Sequence, residues 1–131
     1  AEMNFYYSTG VGTGNNVLRL YGNGNSEHQG FTKLGSDAPS IKMKKLTGTT
    51  SSTQGGIVLV NHGITDAKIL SIRVMVNYFG SASVPDGFNK DNGYECNAYV
   101  DGVGSIIVEN KAGNSASILS KPFTVLIVYE N

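Results

Sequence analysis

The chain is predicted to be all-β, an antiparallel β-sandwich of jelly-roll type, on three observations. In Leu70, Ile72, Val74, Val76 and Tyr78 the apolar side chains recur at every second residue, which places them on one face of a strand, with Ile69 and Met75 on the other beside Ser71, Arg73 and Asn77. The chain closes on a second such run: Phe123, Val125, Ile127 and Tyr129 share a face, and Leu126 and Val128 lie opposite. Apolar residues on both faces of a strand call for cover on both, in a sandwich or against another copy of the chain. Third, the 17 glycines are about 13% of the residues, nearly twice the usual share of roughly 7%, against 3 prolines. Frequent Gly with Asn and Asp marks tight turns, and connections this short cannot hold helical crossovers, so neighbouring strands are expected to be antiparallel.

The elements follow in order. Residues 1–16 are expected to form an extended N-terminal segment, in which Phe5, Tyr6 and Tyr7 are an interchain or interdomain packing element, and residues 17–131 a single sandwich domain. Gly10-Val11-Gly12-Thr13-Gly14 has the look of a nucleotide fingerprint, but no helix follows it, so a turn is expected. Val17, Leu18 and Leu20 begin a strand that the polar Tyr21 to Glu27 turn ends, and a brief strand over Gly30 to Leu34 stops at Gly35-Ser36-Asp37. From Ile41 to Tyr78 three extended segments are separated by a Thr/Ser/Gly-rich connection and by the turn His62-Gly63-Ile64-Thr65-Asp66. The longest connection runs from Tyr78 to Tyr94, with turn signals at Pro85-Asp86-Gly87 and Asp91-Asn92-Gly93. Strands at Tyr94 to Asp101 and Ser105 to Glu109 are joined as a hairpin through Gly102-Val103-Gly104, and a polar loop, Asn110 to Ser117, leads through Pro122 into the last strand. About seven or eight strands and no helix are expected.

Composition narrows the function. The 10 basic and 10 acidic side chains cancel and are scattered, which leaves no electrostatic footprint for nucleic acid or an anionic membrane. There is no stretch of about 18 apolar residues to span a bilayer, so membrane insertion is not expected. A single cysteine, Cys96, cannot close an intrachain disulfide and is expected to be a small buried apolar residue.

Few groups suit catalysis. His62 stands where a strand meets a turn, where an imidazole ordinarily hydrogen-bonds turn backbone, with general-base chemistry the alternative; His28 lies in a polar loop with no Cys or second His nearby. No nucleophile elbow, phosphate loop or paired-cysteine metal site occurs, and no catalytic residue, metal or cofactor is expected. The connection after Tyr78 is the candidate binding site: Tyr78, Phe79, Asp86, Phe88, Asn89, Lys90, Asp91 and Asn92 combine aromatic faces with amide, carboxylate and ammonium groups that can stack on and hydrogen-bond to a sugar. Its oxygen ligands do not follow the EF-hand spacing. The plain alternative is that Phe88 and Tyr94 pack the loop down while Asp86, Asn89, Asp91 and Asn92 satisfy turn backbone. Lys42 and Lys44 alternate with Met43, so they are expected on one solvated strand face that discourages edge pairing, next to Lys45; binding of an acidic polysaccharide is the sharper option.

The run FTKLGSDAPSIKMKKLTGTT, the Gly55-Gly56 pair, the strand ending in Asn61-His62-Gly63 and the tail Leu119-Ser120-Lys121-Pro122 resemble C-terminal tip modules of tail fibres from phages and phage-tail-like particles, notably those associated with Bacteroidetes. The resemblance spans roughly residues 30–131 and rests on turn and strand texture. It implies a β-rich homotrimer on a virion or extracellular phage-tail-like particle, attached to the rest of a fibre and touching the host surface. Ala1-Glu2 ahead of Met3 then suits a segment that starts at Met3 or is cut from a longer protein. The expected function is non-enzymatic receptor binding to a bacterial cell-surface glycan or protein. The alternatives are a purely structural trimerisation module and, with less support from so few acids, a fragment of a polysaccharide depolymerase.

Overall fold

The computed structural model describes residues 2–7 and 15–131, without the side chains of residues 2, 4–7 and 15–17. The packing expected of Phe5, Tyr6 and Tyr7 and the turn expected over Gly10 to Gly14 lie outside the described residues. Eleven strands are described: β1 Glu2–Tyr7, β2 Asn15–Tyr21, β3 Ser26–His28, β4 Thr32–Lys33, β5 Ser40–Thr49, β6 Ile57–Asn61, β7 Ile69–Phe79, β8 Ala82–Pro85, β9 Cys96–Val100, β10 Ser105–Asn110 and β11 Pro122–Glu130. Two single 3-10 turns, Asp66–Lys68 and Ala116–Ile118, are the only helical pieces among the described residues. The chain is therefore all-β, and every strand pair whose register is described is antiparallel.

The strands form sheets of order β1-β2-β3, β6-β10-β9 and β4-β5-β11-β7-β8. Two compact units result: residues 1–42 with 130–131, and residues 43–129. In the first, β1 pairs with β2 through a bulge between Phe5 and Tyr6, and β3 adds Ser26 to His28 against Leu20 to Leu18. His28 thus stands on a short exposed strand instead of in a loop. The Tyr21 hydroxyl donates to Glu27 Oε2 at 2.7 Å across the connecting turn. Thr32 and Lys33 pair with Ile41 and Ser40, and Lys42 Nζ lies 4.9 Å from the centre of the Phe31 ring.

The second unit holds the core. Val74 and Val76 of β7, Val84 of β8, Cys96 of β9, Ile106 and Val108 of β10, Ile118, and Phe123, Val125 and Ile127 of β11 form one buried cluster, to which strands of both of this unit's sheets contribute. The alternation in β7 and β11 produces this: Val76 faces Phe123, Val74 faces Val125 and Ile72 faces Ile127 across the ladder. Each such valine or isoleucine contributes about 1.5–3 kcal/mol of burial.

Three local expectations change. The alternation in β7 breaks at Leu70, because Tyr129 pairs with Ile69 and Val128 with Ser71, leaving Leu70 as an extra residue in a bulge. Ile69 consequently packs on the core and Leu70 faces water. The long connection after Tyr78 also contains a strand: Gly80, at φ 54°, turns the chain so that β8 pairs back on β7, with Val84 opposite Val76. In β5 the parity is the reverse of that expected for the lysines. Leu46 packs on the core, Met43 is 68% exposed, and Lys44 is half-buried with Nζ donating to the His62 carbonyl at 2.7 Å. Of Lys44 and Lys45, only Lys45 is exposed.

Candidate functional site

The residues of the connection between β7 and β9 divide into two groups. Asp86 is a structural anchor: its Oδ1 accepts from the Val74 N–H at 2.8 Å, its own N–H donates to the Val74 carbonyl at 3.0 Å, and the exposed Arg73 guanidinium lies 3.7 Å away. Phe88 and Tyr78 pack against the core, and the Tyr78 and Tyr94 rings meet edge to face at 4.9 Å. These three residues hold the connection down. Asn89, Lys90, Asp91 and Asn92 are exposed at its tip, and Phe79, at the end of β7 opposite Ala82, is 79% exposed.

Cys96 is buried at the start of β9. Burial, helped by the negative charges of Asp86 and Glu95, pushes its thiol up to about 11. His62 is fully buried and closes the turn after β6. Its Nδ1 accepts from the Ile64 N–H at 3.1 Å, and the His62 backbone N–H donates to the Gly104 carbonyl at 3.2 Å. Because Nδ1 is an acceptor, the proton of the neutral ring belongs on Nε2. Asp66 Oδ1 lies 2.9 Å from Nε2, but off the line of that N–H, so the contact is close without being an aligned hydrogen bond. Among the described residues no three His, Cys, Asp or Glu side chains gather as they would around a metal ion.

A feature that the sequence does not reveal lies on the face of β5, β11, β7 and β8 turned away from the core. A depression of about 550 Å³ there is lined by Thr47, Gly48, Thr49, Met75, Asn77, Ser83, Pro122, Phe123 and Thr124. The register sets Thr124 opposite Met75 and Asn77 opposite Ser83. The depression is held firmly at one end. Thr50 N–H donates to the Lys121 carbonyl, Lys121 N–H donates to Thr50 Oγ1, both at 2.9 Å, and Thr50 Oγ1 donates to the Ile118 carbonyl. Ser120, at φ 51°, adds its N–H to the Ser51 carbonyl. These bonds pin Thr49 beside Pro122. The buried Asn110 amide ties the same loop by donating to the carbonyls of Ser51 and Thr53.

A third feature is the outward face of β6-β10-β9. Ile107 of the central strand faces Leu59 on one side and Tyr99 on the other, and Ile57 lies one step along β6 opposite Glu109. Leu59 is 60% exposed, and Ile57 and Tyr99 are about half exposed. Comparison with protein-family models, with curated proteins and with solved structures found no match for the chain.

Proposed function

We propose that this chain is the non-enzymatic, host-receptor-binding tip of a phage tail fibre or phage-tail-like particle, an antiparallel β-sandwich that assembles as a homotrimer and recognises a bacterial cell-surface glycan. The observation that carries the assembly half of this reading is the Leu59, Ile107, Tyr99 row with Ile57 beside it. Contiguous apolar side chains across three strands, two of them sheet edges, are costly to leave in water and suit contact with another copy. The fibre-tip resemblance of residues 30–131 supports a threefold assembly on a virion or an extracellular particle. For the binding half, the support is that resemblance together with an exposed polar tip at Asn89 to Asn92 and a depression on the larger sheet.

The same apolar row favours the alternative, a purely structural trimerisation module of a fibre whose receptor reader lies elsewhere. Two measurements separate the readings. Light scattering at micromolar concentration is expected to return three chains per particle for the wild type and a smaller species for Leu59→Lys/Tyr99→Lys. Labelled wild-type protein is expected to bind Bacteroidetes cells saturably. A monomeric wild type sinks the trimer, and a trimer that binds no host cell favours the structural module.

A further inference from the structure

The geometry points to the depression on the outer face of β5, β11, β7 and β8 as a subsite for a neutral oligosaccharide, an inference that rests on the receptor-binding reading above. Its lining is chemically selective. Thr47, Thr49, Thr124 and Ser83 bring four hydroxyls, none with a protein partner among the described residues, and each can both donate and accept. Asn77 adds an amide whose orientation is set, because Nδ2 donates to the Gly80 carbonyl at 2.8 Å and leaves Oδ1 to accept from a ligand. Met75 and Pro122 supply apolar surface between these groups, suited to the C–H faces of a pyranose ring. No charged side chain lines the depression. The cations Lys45 and Arg73 stand two residues before Thr47 and Met75 at one end of the same face, with Arg73 3.7 Å from the Asp86 carboxylate, so a sugar seated in the depression itself meets hydroxyls and an amide, and the vicinal hydroxyls of a neutral sugar match side chains that donate and accept in turn.

Size and rigidity agree with this occupant. About 550 Å³ falls in the range of ligand sites, roughly 300–1,000 Å³. Four adjacent strands spaced about 4.8 Å apart give a track of roughly 14 Å, long enough for a short oligosaccharide laid across them. The groups stand on β-strands, and the Thr50 to Lys121 hydrogen bonds fix the end where Thr49 meets Pro122, so little side-chain or backbone freedom is lost on binding.

The test is a printed array of neutral glucan, galactan, mannan and N-acetylhexosamine oligosaccharides beside uronic-acid oligosaccharides, probed with full-length chain. Wild type is expected to bind neutral spots. Thr47→Val/Thr124→Val, which removes two hydroxyls at constant shape, is expected to weaken that binding at least tenfold with unchanged melting and oligomer size, and Lys68→Ala, at an exposed residue outside both the depression and the tip, to leave it within twofold. Ser83→Ala, on the short edge strand, serves as the readout if the double variant misfolds, with at least a threefold loss. Unchanged binding by folded groove variants moves the sugar site elsewhere and leaves the fibre-tip reading standing. Binding confined to uronic-acid spots overturns the neutral class, and a changed oligomer size in the groove variants makes the face a contact between copies. A wild type that binds no oligosaccharide yet still attaches to host cells removes the sugar site alone, and one that does neither removes both.

Discussion

The Phe123 ring lies directly over Gly48: a Cβ built on Gly48 would stand 2.4 Å from Phe123 Cζ and 3.0 Å from both Cε atoms. Phe123 is buried, so its ring cannot swing away, and glycine is required at this point of β5 for steric reasons. Gly48→Ala is expected to cost about 1–3 kcal/mol by overpacking. Combining it with Phe123→Leu should cost less than the sum of the two single changes. Urea denaturation of the four-member cycle measures this, and strict additivity would show that the ring relaxes without resistance.

Asp86 is expected to matter for stability far more than its neighbours at the tip. Asp86→Ala leaves the Val74 N–H without its side-chain acceptor, at about 1–3 kcal/mol, whereas Asp86→Asn keeps a carbonyl oxygen in place and should lose less. Asn89→Ala and Asp91→Ala alter exposed residues and should stay within about 0.5 kcal/mol of wild type. Melting curves of the four variants give the order, and an Asp86→Ala protein as stable as wild type would mean that the Val74 amide finds another partner.

What the sequence discloses and what it hides follow from the range of the interactions involved. Alternation in Leu70 to Tyr78 and Phe123 to Tyr129 is local, and it identifies Val74, Val76, Val125 and Ile127 as core without any structure. The turn role expected for His62 is likewise local, since its acceptor contact reaches only two residues, to Ile64. The bulge at Leu70 is invisible because it depends on how β11 pairs, and one unpaired residue flips the face of everything beyond it. Strand β8 hides among turn residues: Ala82 to Pro85 is only four residues long and is flanked by Gly80 and Gly87. The candidate site is least legible of all. Thr47 and Thr124 share a depression only because β5 and β11 are neighbours, and the loop that looked richest in ligand groups uses Asp86, Phe88 and Tyr78 to hold itself in place.

Acid should weaken the hairpin that joins β9 to β10. The Val103 and Ser105 N–H groups both donate to Asp101 Oδ1 at 2.9 Å, and those bonds hold the carboxyl below its ordinary value of 3.8. A carboxyl depressed in the folded state stabilises the fold above its unfolded pKa and loses that contribution as pH falls through the folded one. Wild type is therefore expected to melt above Asp101→Asn near neutral pH, with the gap closing below about pH 4. A gap that persists unchanged into strong acid would assign the difference to shape instead of charge.

Cys96 should be inert while the protein is folded. It is fully buried, and its thiol, pushed up to about 11, carries almost no thiolate near pH 8. Iodoacetamide at about pH 8 is expected to leave native protein unmodified for hours and to label it within minutes in denaturing urea, a contrast that mass spectrometry reads directly. Because Cys96 opens β9 and packs in the cluster with Val74, Val76 and Val108, the native labelling rate reports the opening of this buried cluster. Rapid labelling of native protein would place β9 in a region that opens far more readily than the rest of this core. Cys96→Ser, which puts a hydroxyl where a thiol had no hydrogen-bond partner among the described residues, should then cost little; with β9 firmly closed it should lower stability by about 1–3 kcal/mol.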